Sequence, residues 1–251
     1  MDAYPHKEIY LDNNATTHVL TEVCDSIVDA LGVSFGNPSS VHSGGDRGRS
    51  HLRLARERVS HLIGCPDPEA ILFAGSGTEA NNVVLASHCK GAHPRIITTA
   101  VEHSSILKMA EHLAVARGAE VVALGVDARG HIDLGELAES LSVSTALASI
   151  QWVNNETGTI LPIEKIGEIC QSFGVPLHTD AAQAVGKLPV DVDALPIDFL
   201  TLTAHKFHGP QGVGAVWARD RGRLSPQIFG GPQEDGLRAG TENVPGIVGL
   251  G

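Results

Sequence analysis

The stretch Ala70-Ile71-Leu72-Phe73-Ala74-Gly75-Ser76-Gly77-Thr78-Glu79-Ala80 decides the fold. Its first five residues are all apolar. So short and uniform an apolar run reads as a strand buried on both faces. Gly75 to Thr78 then turns the chain, and Thr78 to Ser87 reads as a helix. Working outward, the same alternation repeats. Strands are expected at Arg95–Thr99, Glu120–Leu124, Ala146–Val153, Pro176–His178, Ile197–Leu202 and Val213–Trp217. Helices are expected from His103 to about Arg117, over Asp133–Leu141, and over Pro162–Phe173, the last with Pro in its first turn and Gly174 after it. Strands alternating with helices predict an α/β protein: a mostly parallel, mixed sheet between two helical layers.

Upstream, Val19, Val23, Ile27 and Leu31 share one helical face, and Ser43–Ile63 reads as a long helix. The basic residues of that helix (Arg47, Arg49, Arg53, Arg56, Arg58) read as a solvated face. Before them, Asp12-Asn13-Asn14-Ala15-Thr16-Thr17 is either a helix start or a set of amides presented to a ligand.

Composition narrows the function classes. The chain has 251 residues and a formal net charge of −11, which argues against nucleic-acid or anionic-membrane partners. No apolar stretch approaches the roughly 20 residues of a bilayer span. The polar start, Met1 to Glu8, does not resemble a secretory signal. The four cysteines (Cys24, Cys65, Cys89, Cys170) form no C-x-x-C pair, so reduced thiols and a cytoplasmic location are expected.

In open α/β sheets, ligands bind beyond the carboxyl ends of the strands. Five predicted strands end in reactive chemistry: Gly77-Thr78, His103, Asn155, Asp180 with Gln183, and Thr203 with His205 and Lys206. Lys206 lies in Thr203-Ala204-His205-Lys206-Phe207-His208-Gly209-Pro210. It is either a surface lysine or an amine held for Schiff-base chemistry. Asp180 is either a cap or a carboxylate for a pyridine nitrogen, and His103 either structural or a proton carrier. Gly75-x-Gly77-x-x-Ala80, with Glu102 downstream, also fits a dinucleotide turn. His178, Asp180, His205 and His208 could suggest a metal, but the spacing of His205 and His208 in a Gly/Pro turn is not that of a helical zinc pair.

In chain order, eight motifs resemble the NifS-type cysteine desulfurase and selenocysteine lyase family, pyridoxal 5'-phosphate (PLP) enzymes of aminotransferase class V. They are Tyr10-Leu11-Asp12-Asn13-Asn14-Ala15-Thr16-Thr17, Gly36-Asn37-Pro38-Ser39-Ser40, Ser76-Gly77-Thr78-Glu79-Ala80-Asn81-Asn82, Val101-Glu102-His103, Val153-Asn154-Asn155-Glu156-Thr157-Gly158, His178-Thr179-Asp180-Ala181-Ala182-Gln183, the Lys206 stretch, and Arg238-Ala239-Gly240-Thr241-Glu242-Asn243.

The resemblance implies a fold type I large domain over residues 15–251, ending at the start of a further helix. An arm, residues 1–14, would belong with a small C-terminal domain that is largely absent. It implies that Lys206 holds PLP as an internal aldimine and shuttles protons. Gly77, Thr78, Thr203 and His205 would hold the phosphate, and Thr241 would reach the phosphate of a neighbouring subunit in a homodimer. Asp180 would pair with the pyridine nitrogen and Gln183 with the ring oxygen. His103 would stack on the ring and move protons, Asn155 would contact cofactor or substrate, and Asn14 would contact substrate. The reaction implied is loss of sulfur from L-cysteine, or of selenium from L-selenocysteine, leaving L-alanine, with an acceptor protein as a further partner. The family's acceptor cysteine and carboxylate-gripping arginine are expected past Gly251, and none of the four cysteines takes the acceptor's place. A catalytically inactive PLP-binding fragment or scaffold subunit is therefore the competing expectation.

Overall fold

The computed structural model describes residues 9–91 and 94–251, so the first eight residues of the expected arm lie outside the described ones. Seven strands form one sheet in the order β1-β7-β6-β5-β4-β2-β3. They are β1 (Ile71–Ala74), β2 (Arg95–Thr99), β3 (Glu120–Leu124), β4 (Thr145–Ser149), β5 (Leu177–Asp180), β6 (Phe199–Thr203) and β7 (Gly214–Ala218). Neighbouring pairs from β3 across to β6 are parallel, while β7 is antiparallel to both β6 and β1. The turn from β6 to β7 is too short for a crossover, so β7 must return alongside β6. Because β7 opposes both neighbours, β1 points the same way as the parallel strands.

The described residues form seven α-helices, most of them packed on the sheet: α1 (Thr21–Leu31), α2 (Ser43–Leu62), α3 (Gly77–His88), α4 (Ser104–Arg117), α5 (Leu134–Ser140), α6 (Ile163–Ser172) and α7 (Val244–Leu250). The period-2 alternation of the strands splits the interior in two. Ile71, Phe73, Ala215 and Trp217 enter one core with residues of α2, α5, α6 and α7. Leu72, Ala74, Val216 and Ala218 enter the other, with α3 and α4. β5 extends past its apolar run, because Asp180 still pairs with Thr201 of β6. A carboxylate is thereby fixed at the end of a buried strand.

One of two open alternatives falls away, and one expectation is corrected. The Asp12–Thr17 hexad does not start a helix, since α1 begins at Thr21 with no side-chain cap from Leu20. Instead it docks on the Lys206 turn: Thr17 N–H and Oγ1 donate to the His205 carbonyl at 2.9 and 3.0 Å. Leu20 N–H donates to the His208 carbonyl. Nor are the arginines of α2 all solvated. Arg56 is buried, with an ion pair to Glu234 at 2.6 Å, and it also donates to the Ile71 carbonyl. Glu234 in turn accepts from Phe73 N–H at 3.0 Å. Together the pair satisfies backbone groups on the outer edge of β1, which a missing neighbouring strand would otherwise leave bare.

Breaking such a pair leaves an uncompensated buried charge. Arg56→Ala should lower unfolding free energy by ~3–5 kcal/mol. Arg53→Ala, which removes the exposed pair to Glu57, should cost under about 1 kcal/mol. Urea unfolding of the two variants checks this, and equal losses would contradict it.

Candidate active site

Five parallel strands deliver their carboxyl ends to one edge, where a cavity of ≈ 490 Å³ opens. Asn14, Gly77, Thr78, His103, Asn155, Asp180, Gln183, Thr203, His205 and Lys206 all line it. Thr241 does not: it is exposed, outside this cavity.

At the floor, Asp180 is 9% exposed. Its Oδ1 accepts from Ala182 N–H at 3.0 Å and its Oδ2 from Asn81 Nδ2 at 2.7 Å. Asn81 also donates to Ser105 Oγ at 2.8 Å and accepts from Thr201 Oγ1. This buried amide fixes β5, β6, α3 and the start of α4 around one carboxylate. Lys206 enters from the short turn after β6, half-buried, and donates to the carbonyls of Asn14 and Ala15. Burial lowers its pKa from the ordinary lysine value, against the opposing charges of Asp180 and Asp12. His205 is lowered by burial and by the Lys206 charge, which favours the neutral ring. Its Nδ1 meets Thr16 Oγ1 at 3.2 Å.

On one wall, the start of α3 faces the cavity through Ser76, Gly77 and Thr78. Ser76 Oγ caps Glu79 N–H at 3.0 Å, leaving the first-turn N–H groups of Gly77 and Thr78 without an intrahelical acceptor. β7 passes directly beneath: a Cβ on Gly214 would lie 2.7 Å from the Ser76 carbonyl carbon and 2.9 Å from Gly77 N. Thr203 Oγ1 donates to the Val213 carbonyl at 3.1 Å, so this hydroxyl must rotate before it can donate to a ligand. Opposite, His103 caps α4. Its Nδ1 accepts from Ser105 N–H at 3.1 Å, which places the proton of the neutral ring on Nε2. Gln183 Nε2 donates to the Asn14 carbonyl at 2.9 Å, and Asn14 Nδ2 to that of Asn155 at 3.2 Å.

Neither a dinucleotide turn nor a histidine-bound metal finds support at this edge. Glu102 is 6% exposed, and its carboxyl accepts from Thr99 Oγ1 and Gln151 N–H, so it is not free for a ribose. His178 is fully buried with Nδ1 on Ser149 Oγ, and exposed His208 contacts the His18 carbonyl. Neither histidine lines the cavity with Asp180 and His205. Reading the strand ends alone misses Asn81, Ser105 and Gln151. Asn81 had a signal: its place in the polar run Ser76-Gly77-Thr78-Glu79-Ala80-Asn81-Asn82 that opens the helix after β1.

The aminotransferase class-V model matches residues 9–251. The chain belongs to that family. Cysteine desulfurase of Sinorhizobium fredii (strain NBRC 101917 / NGR234) is 46% identical over 248 residues, 98% of this chain and 64% of that protein. A solved NifS-like protein aligns with TM-score 0.93 and 39% identity, over 96% of this chain and 67% of its own. A structure of SspA in complex with cysteine aligns with TM-score 0.92 and 37% identity, over 97% and 71%. The chain thus spans less than two thirds of the length of that S. fredii relative.

Class-V aminotransferases are PLP-dependent enzymes of fold type I, and this chain has that fold. The residues present fit the cofactor: a lysine amine softened by burial, a carboxylate held by two donors, and a helix start with free N–H groups surround one cavity.

Beneath the site, burial pushes the Glu102 carboxyl up to about 8. A raised carboxyl pKa means that the folded state keeps a proton the unfolded state has released. Its contribution is therefore present below the unfolded value of 4.5 and is lost as pH rises toward about 8. Glu102→Gln, which can still accept from Thr99 and Gln151, removes that loss. Its stability relative to the parent should rise by roughly 2 kcal/mol or more between pH 5 and pH 8. Urea unfolding at the two pH values reads this; parallel curves would contradict it.

Proposed function

We propose that this chain carries the PLP half of a cysteine desulfurase site, acting on L-cysteine or its selenium analogue to leave L-alanine. The observation that supports it best is the joint placement of Lys206, Asp180 and the α3 start on one cavity. When bound, PLP supplies an electron sink that lets bonds at the substrate's α-carbon break.

The chain's own residues divide the remaining work. Lys206 Nζ is the amine that would hold the cofactor aldehyde; its lowered pKa favours the neutral, nucleophilic form. Released, the same Nζ can take and return a proton at the α-carbon. Asp180, fixed by Asn81 and Ala182, would hold the proton on the pyridine nitrogen. Gly77, Thr78, Thr203 and His205 would bind the phosphate. Gln183 would face the ring oxygen. His103, exposed at the rim with its Nε2 proton outward, would cover the ring and move a proton to or from the substrate. Asn14 and Asn155, joined to each other, would contact the substrate side.

A sulfur-accepting thiol is a different matter. No cysteine is among the residues lining the cavity. Cys65, Cys89 and Cys170 are buried, and burial pushes Cys89 up to about 11 and Cys170 up to about 12, away from thiolate chemistry. This favours, as a second reading, a catalytically inactive PLP-binding fragment or scaffold subunit that lacks the acceptor cysteine. We place the domain boundary as the sequence suggests, with residues 15–251 as the large domain. A homodimer in which exposed Thr241 meets the neighbouring copy's site completes the proposal. So does a cytoplasmic location, consistent with four free cysteines and with no helix among the described residues being long and apolar enough to cross a membrane.

The test has two parts. With added PLP, the parent should show a visible Schiff-base band that Lys206→Ala lacks. With L-cysteine and a reducing thiol, the parent should form alanine at least about 10²-fold faster than the variant. A band without turnover selects the second reading; no band in the parent overturns both.

A further inference from the structure

The Arg238-to-Asn243 motif is not used up by the roles above. Arg238 Nε donates to Glu79 Oε1 at 2.9 Å, and its Nη2 reaches Oε2 at 3.4 Å. That same Oε2 accepts from Gly75 N–H at 2.9 Å. Glu79 N–H is itself capped by Ser76 Oγ. The turn from β1 into α3 is therefore tied twice to Glu79, through Gly75 N–H to its carboxylate and through Ser76 Oγ to its backbone N–H, with little space to shift. A Cβ on Gly75 would sit 2.7 Å from Glu79 Oε2 and 3.5 Å from Arg238 Nη2.

Charge gives this contact its meaning. A carboxylate in the first turn of a helix disfavours a second anion at the same N-terminus unless it is neutralised. Glu79 stands one residue from Thr78, where the cavity meets α3. Behind it, a small cavity of ≈ 20 Å³ brings Glu234 and Glu242 next to Arg238. Glu234 has Arg56 as its own partner, whereas Glu242 Oε2 is buried without a hydrogen bond among the described residues. Arg238 thus faces three carboxylates, and Glu79 is the one it grips.

We propose that Arg238 and Glu79 are positioning residues for phosphate. Glu79 holds the Gly75–Gly77 turn in its anion-binding shape, and Arg238 cancels the charge that Glu79 would otherwise set against the ligand. The proposal rests on the PLP reading above.

The experiment compares the affinity of the chain for PLP with that for pyridoxal, which lacks the phosphate, followed by absorbance. Arg238→Gln should weaken PLP binding by about tenfold and leave pyridoxal binding unchanged. Glu79→Gln, whose amide oxygen can still accept from Gly75, should keep or improve PLP affinity. The double variant should recover most of what Arg238→Gln loses. Arg238→Lys should stay within a few-fold of the parent. Equal loss for both ligands in Arg238→Gln would show a merely structural role and overturn the proposal, as would a double variant no better than the single one. A parent that takes up neither ligand would instead overturn the PLP reading itself, and the proposal with it.

Discussion

Everything at the candidate site depends on strand direction. β1, β2, β4, β5 and β6 point the same way, so Gly77, His103, Asn155, Asp180 and Lys206 reach one edge although they are far apart in sequence. The antiparallel β7 is what allows this. It lets the chain turn back after β6 without a crossover α-helix, through one 3₁₀ turn that ends at Lys206, so Lys206 and the start of α3 share one cavity.

The edge also sorts charge by depth. Asp180 and Lys206 face the cavity, where a ligand can use them. Ionisable groups packed behind are kept neutral by desolvation: Glu102 as the acid, up to about 8, and His178 as the free base, down to about 3. Where charge must stay buried, it is paired, as Arg56 with Glu234 and, half-buried, Arg238 with Glu79. Asn81, 1% exposed, links the two zones by binding Asp180 and Thr201 at once.

Much of this was legible in the residues. Short apolar runs followed by glycine turns pointed to the sheet and its parallel sense, and the nine site residues read from the polar strand ends all line one cavity, as does Asn14, which came from the resemblance. What stayed hidden needed three dimensions. Arg56 looks like its exposed neighbours on α2, and only the distant turn carrying Glu234 makes it a core residue. The hexad Asp12–Thr17 has cap-like residues, yet its hydroxyls are taken by the His205 carbonyl almost two hundred residues away. Thr241, the eleventh, lies outside the cavity of its own chain.

The most direct test of the account is borohydride reduction of the chain after incubation with PLP, followed by peptide mass mapping. Lys206 and Lys187 both have lowered pKa values from burial, but Lys206 lines the cavity while Lys187 is engaged with Gln183 Oε1. The account predicts a single pyridoxyl adduct on the peptide carrying Lys206. An adduct on Lys187, or label spread over exposed lysines with Lys206 unmodified, would contradict it.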